Sequence, residues 1–113
     1  MADDATFRPK LFLLEGCPFC FKVRLFLLEA DLADDVDKHW FAAGTPENDA
    51  VRQELALHLT KVSFPAAELE PDRYVADSEE IIRFLSDKGG VDPEALPVLR
   101  LYVDGPLRQV STL

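Results

Sequence analysis

The sequence predicts a single α/β domain. A four-stranded mixed sheet is flanked by helices in the order β-α-β-α-β-β-α, and a C-terminal extension follows. Three observations carry this. Short apolar runs alternate with stretches of helical periodicity, which implies crossover connections. Two strand-like runs, 66–70 and 73–76, sit on either side of Glu70-Pro71-Asp72, a turn that makes them an antiparallel hairpin closing the sheet. Helix punctuation falls at Pro18, Thr45-Pro46, Asp77-Ser78 and Lys88-Gly89-Gly90.

Taken in order, residues 1–8 read as an irregular start. Lys10 to Glu15 is a continuous apolar run, expected of a buried strand. Pro18 to Ala30 is a helix with two apolar faces. Phe19, Cys20, Val23, Phe26, Leu27 and Ala30 form one stripe, and Phe21, Leu25, Leu28 and Leu32 the other, so both faces need cover. After the polar break Asp31 to Asp35, Val36 to Ala43 reads as a strand whose charged flank suits an edge or near-edge position. Thr45 caps the next helix with Pro46 at its first position, and Val51, Leu55 and Leu59 extend it to about Thr60. Asp77 or Ser78 caps the third helix. Glu79 and Glu80 suit its first turn, and Gly89-Gly90 ends it.

Residues 1–90 form the predicted domain and 91–113 the extension. Leu96, Leu99, Val103, Leu107, Val110 and Leu113 recur at helical spacing, with Gly105-Pro106 expected to break the helix in two. A hairpin, Val98–Val103 and Leu107–Ser111 turning at Asp104-Gly105, is the competing reading. No repeat or low-complexity stretch is present.

Composition narrows the partners. The 21 acidic and 12 basic residues give a net charge of −9, which opposes nucleic acid and anionic membrane surfaces. No stretch has the length and apolarity of a membrane span. Met1-Ala2-Asp3-Asp4 lacks the basic start and apolar stretch of a signal peptide, so a cytoplasmic, reducing location is expected.

Cys17-Pro18-Phe19-Cys20 lies between an apolar strand and a helix, which puts Cys17 on the helix N-terminus. There unpaired N–H groups and the positive end of the dipole favour a thiolate. Pro18 suits the first helical position. Cys20, one turn on and on the inward stripe, is placed to attack a mixed disulfide formed on Cys17. The four residues read as a redox centre. Zinc needs a second cysteine pair or close histidines, but the chain has only two cysteines, and His39 and His58 are far apart in sequence, so no metal is expected. The histidines read as structural or surface residues.

Leu14 to Arg24 resembles the active-site segment of the glutaredoxins and of the thioredoxin-like N-terminal domain of glutathione transferases. Val62-Ser63-Phe64-Pro65 is similar to the loop whose proline is cis in that superfamily. Arg73 to Ile82 is similar to the Glu-Ser strand-to-helix turn that holds glutathione in the transferases. The resemblance spans about residues 10–90 and departs from many glutaredoxins at Leu14, where they carry a lysine, and at Phe19, where they carry a tyrosine. It implies a thioredoxin-like fold and a glutathione-dependent thiol–disulfide oxidoreductase, with Cys17 as nucleophile and Cys20 as resolving thiol. Phe19, Phe64, Pro65, Asp77 and Ser78 are its implied binding residues. Pro65 would be cis, the Phe64 backbone would pair with the cysteinyl backbone of the substrate, and Asp77 and Ser78 would receive the γ-glutamyl group. Glutathione is the implied co-substrate, and glutathionylated or disulfide-containing proteins the implied partners. It also implies that the extension is the first helix of the transferase second domain.

Two other classes remain open: a non-catalytic binding or assembly module on the same fold, and an iron–sulfur cluster held between two subunits by Cys17 and glutathione. For the outer face of the first helix, the expectation is a homodimer using the extension, against a monomer whose tail folds back over Phe21, Leu25 and Leu28.

Overall fold

Strand β1, Lys10–Leu14, is the centre of the molecule. The structure is a computed structural model and describes residues 7–109. The predicted start over residues 1–6, and the positions Val110 and Leu113 of the C-terminal stripe, lie outside the described residues. β1 pairs in parallel with β2, Asp37–Phe41, and antiparallel with β3, Ala66–Glu70, which pairs antiparallel with β4, Arg73–Val75. The order β2-β1-β3-β4 makes a mixed sheet and puts β2 at an edge, as its charged flank predicts.

Alternation along β1 sorts the core onto two faces. Leu11 and Leu13 join Cys20, Val23, Phe26 and Leu27 of helix α1, Pro18–Glu29, and Ile81, Ile82 and Leu85 of helix α3, Ser78–Gly89. Phe12 faces the other way and joins Phe41, Ala66, and Val51 and Leu55 of helix α2, Pro46–Ala56. Each of these large buried side chains contributes about 1.5–3 kcal/mol by leaving water. The predicted caps are present. Thr45 Oγ1 accepts from the Asn48 N–H at 3.2 Å, Asp77 caps α3, and Gly90 closes α3 in the left-handed conformation at φ +67°.

Three expectations change. Helix α2 ends at Ala56 rather than near Thr60: Leu57 and His58 bond back to Glu54 and Leu55 in a tightening turn, and Leu59 still reaches the α2 side of the core. The second strand is shorter than 36–43. Phe19, placed by periodicity on the inward stripe of α1, is exposed, because it lies in the first turn, beyond the end of the sheet.

The extension is helical, so the hairpin reading is excluded among the described residues. After a 3-10 turn, Pro93–Ala95, helix α4 runs over Pro97–Tyr102 and continues through a π-helical turn, Val103–Leu107. Gly105-Pro106 therefore widens the helix instead of breaking it. A proline clashes with the carbonyl four residues back, and an i→i+5 turn relieves that clash. Leu96 has no capping side chain for α4. The Glu29 carboxylate of α1 takes that role, accepting from the Val98 and Leu99 N–H at 2.9 and 2.8 Å. Leu99 is buried in the core with α1, and Tyr102 stacks edge-on against Phe21 at 5.1 Å. The tail thus folds back on the outer face of α1, over Leu25 and one side of Phe21, while Leu28 stays exposed.

Candidate functional site

The site begins where β1 turns into α1. The Glu15 N–H bonds to the Phe41 carbonyl at 2.9 Å, holding the end of β1 against β2. Gly16 then turns the chain at φ +82°, a conformation that suits glycine. The Cys17 N–H donates to Leu14 O at 3.2 Å, and the Cys17 carbonyl accepts the Phe21 N–H at 3.0 Å. Cys17 is therefore the N-cap of α1, in extended conformation, and its side chain makes no cap bond. Helix geometry leaves the N–H groups of the first turn without intrahelical acceptors, and Pro18 has none to offer. Phe19 and Cys20 supply the donors that remain.

The two thiols differ sharply. Cys17 is half-buried, and its Sγ donates to the Phe64 carbonyl at 3.7 Å. Cys20 is fully buried and accepts the Leu14 N–H at 3.4 Å. Burial pushes the Cys20 thiol far up despite that N–H, and the neighbouring Cys17 pushes the same way. Cys20 therefore holds its proton in this structure.

The Phe64–Pro65 peptide is cis, as expected. The Phe64 ring lies edge-on to Phe41 at 4.9 Å, beneath the Arg52 guanidinium at 5.0 Å. These contacts fix the carbonyl that meets Cys17.

At the start of α3, Asp77 Oδ1 accepts from the Glu79 and Glu80 N–H at 2.8 and 3.3 Å. Ser78 is buried, and its Oγ accepts from Lys22 Nζ at 3.4 Å; Lys22 also pairs with the Glu79 carboxylate. Lys22 is buried at 5% exposure, although the sequence marks it only as one of the few charges on α1. Its signal was helical phase: it stands four residues before Phe26, on the inward side.

On the other side of Cys17 a cavity of about 640 Å³ opens, walled by Gly16, Cys17, Phe21, Trp40, Tyr102 and Pro106. The Arg24 guanidinium lies over the Trp40 ring at 4.8 Å along this wall. Tyr102 donates to the Pro18 carbonyl at 2.8 Å across 84 residues of sequence. No local pattern marks Tyr102, since only the fold brings it to Cys17.

The structure brings Cys17, Cys20, Phe64 and Pro65 together at the end of β1. Asp77 and Ser78 stand at the neighbouring helix start, linked to α1 through Lys22. Phe19 projects outward. None of Phe19, Phe64, Pro65, Asp77 and Ser78 lines the cavity, so Cys17 stands between two surfaces. Among the described residues, no cluster of three or more His, Cys, Asp or Glu could hold a metal, and no helix is long and apolar enough to cross a membrane.

Comparison with known proteins bears on the fold and the family. No curated protein matches the chain. Among solved structures, a glutathione S-transferase from the Antarctic clam Laternula elliptica superposes with a TM-score of 0.58 at 22% identity, over 74% of this chain and 36% of that one. Glutathione transferase Omega 2C from Trametes versicolor superposes with a TM-score of 0.50 at 22% identity, over 91% of this chain and 44% of its own. The chain thus spans less than half the length of either, and what they share with it is the thioredoxin-like fold. The family model described as glutathione S-transferase, N-terminal domain, matches residues 16–88, and this chain belongs to that family.

Proposed function

We propose that this chain is a glutathione-dependent thiol–disulfide oxidoreductase, with Cys17 as the nucleophile and Cys20 as the resolving thiol. The observation that carries the reading is the asymmetry of the cysteine pair. One half-buried thiol stands at the N-cap position of α1, whose first turn has no side-chain cap, and the other is buried one turn behind it with its proton held by burial. The family and the transferase names of the structural neighbours support glutathione as the thiol.

On a glutathionylated protein, the Cys17 thiolate attacks the glutathione sulfur. The mixed disulfide breaks, the protein leaves as thiolate, and glutathione stays bonded to Cys17. A second glutathione thiolate attacks that sulfur, releasing oxidised glutathione and restoring Cys17. On a protein disulfide, the Cys17 thiolate attacks one sulfur, the protein S–S bond breaks, and the other protein sulfur leaves as thiolate. Cys20 then loses its proton, attacks Cys17 Sγ and releases the reduced protein, leaving a Cys17–Cys20 disulfide that two glutathione molecules reduce. In this reading the Phe64 backbone, beside cis-Pro65, pairs with the cysteinyl backbone of glutathione. The γ-glutamyl end lies at Asp77 and Ser78, and Phe19 packs at the rim. The Asp77 carboxylate already accepts two N–H groups of α3, which leaves its second oxygen for the γ-glutamyl ammonium.

Mass spectrometry after incubation with oxidised glutathione tests the reading. Cys20→Ser is expected to carry one glutathione on Cys17, and Cys17→Ser none. Absence of the adduct from Cys20→Ser removes the proposal.

A further inference from the structure

Tyr102 and Pro106 reach the Cys17 cavity from beyond the matched residues 16–88. We infer that Tyr102 is a positioning residue for Cys17: it acts through the Pro18–Phe19 peptide group, so that the C-terminal helix sets the reactivity of the thiol. The inference deepens the proposed oxidoreductase and rests on Cys17 being its nucleophile.

The chain of contacts is short. The Tyr102 hydroxyl donates to the Pro18 carbonyl at 2.8 Å, a full-strength bond. That carbonyl and the Phe19 N–H belong to one peptide group. A carbonyl that accepts a hydrogen bond polarises its own amide, and bonds in such chains strengthen one another. The Phe19 N–H is one of the donors left at the open start of α1, where the Cys17 thiolate needs them. Because Pro18 brings no N–H, each remaining donor counts for more. The same bond holds the first turn of α1 against fraying.

Tyr102 is itself held from two sides. Its ring lies edge-on to Phe21 at 5.1 Å, and its helix is anchored on α1 by the Glu29 carboxylate at the N–H groups of Val98 and Leu99. Burial first, and then the charge of Cys17, push the Tyr102 hydroxyl above its ordinary value, so it remains a donor while the thiol ionises. The π-helical turn that follows holds Pro106 at the same cavity.

The bland account is that a half-buried tyrosine found an acceptor for its hydroxyl. Tyr102→Phe in the full chain separates the two, because it keeps the ring against Phe21 and removes only the hydroxyl. The readout is iodoacetamide alkylation of Cys17 as a function of pH, followed by peptide mass, with circular dichroism as the check on folding. The expected result is a roughly three-fold slower reaction at neutral pH, which disappears at a pH that ionises the thiol in both proteins. Equal rates at neutral pH overturn the inference. So does a loss of the same size at every pH, since that reports access and not ionisation. Phe21→Leu, which loosens the ring, is expected to give a smaller loss with the same pH dependence, and it stands in should the first variant fail to fold. Alkylation needs no glutathione. A wild-type chain that fails with glutathione while Tyr102→Phe shows the pH-dependent loss therefore counts against the oxidoreductase alone.

Discussion

The N-terminus of α3 is closed by its own sequence, whereas that of α1 is left open. Asp77 stands at the cap of α3 and accepts two of its free N–H groups, and Glu79 and Glu80 add charge of the favoured sign to the first turn. Thr45 caps α2 by accepting one N–H, from Asn48. Cys17 occupies the equivalent place on α1, makes no cap bond, and has no acidic residue in the turn behind it. The two helix starts are neighbours, tied by Lys22 of α1 to Ser78 and Glu79 of α3. A closed cap stabilises the fold, whereas an open one leaves the N–H groups of its first turn without a side-chain acceptor. The difference leaves the α1 terminus without the local stabilisation that α2 and α3 have, and the proposed chemistry uses that open end.

Closing the open end should break the comparison most visibly. Cys17→Ser is expected to abolish reduction of a glutathionylated peptide altogether. It should also stabilise the domain by about 0.5–1 kcal/mol, because serine is a good cap and can accept the free N–H groups. A chemical denaturation midpoint that does not rise would show that the end was not open. Cys20→Ser should keep much of the turnover on the same peptide, since glutathione resolves the Cys17 adduct, and lose reduction of a protein disulfide. Equal losses in both variants on the peptide would contradict the division of roles.

Opening the closed end should produce the opposite pattern. Asp77→Ala is expected to cost about 1 kcal/mol of stability. Its alkylation rate at Cys17 should match the wild type within two-fold, because α1 is untouched. In the proposed reaction it should raise KM for glutathione more than it lowers kcat.

The smallest expected effect sharpens the picture away from the site. Burial, and then the Glu68 carboxylate, hold the Tyr74 hydroxyl up to about 12 from its ordinary 10. A value raised on folding means the unfolded chain gives up its proton first. The contribution is complete below pH 10 and is lost as pH rises from 10 towards 12. Tyr74→Phe should therefore flatten part of the fall in stability across that window, measured as denaturant midpoint against pH. An unchanged slope would show that the phenol titrates alike in both states. The His58 ring stacked on Tyr74 at 3.9 Å should stay in place, since phenylalanine keeps the ring.

Much of this molecule was legible in one dimension because its signals are local. The apolar run of β1, the Thr45 and Asp77 caps, Gly90 at the end of α3, and Pro18 behind Cys17 each follow from conformational preference or periodicity within a few residues. So did the pairing of a half-buried with a fully buried thiol, which follows from helical phase. The cis geometry of Pro65 and the grouping of Phe64 with Cys17 came from resemblance, since neither periodicity nor spacing marks them. The tertiary structure decided what distance along the chain conceals. It buried Lys22 against Ser78 and Glu79, used Glu29 to cap a helix whose own cap residue is Leu96, and set Tyr102 on the Pro18 carbonyl. Each of these joins a polar group to a partner at least 50 residues away. Such pairs are chosen by the need to satisfy buried donors and acceptors once packing has placed them, and that need has no period in the sequence.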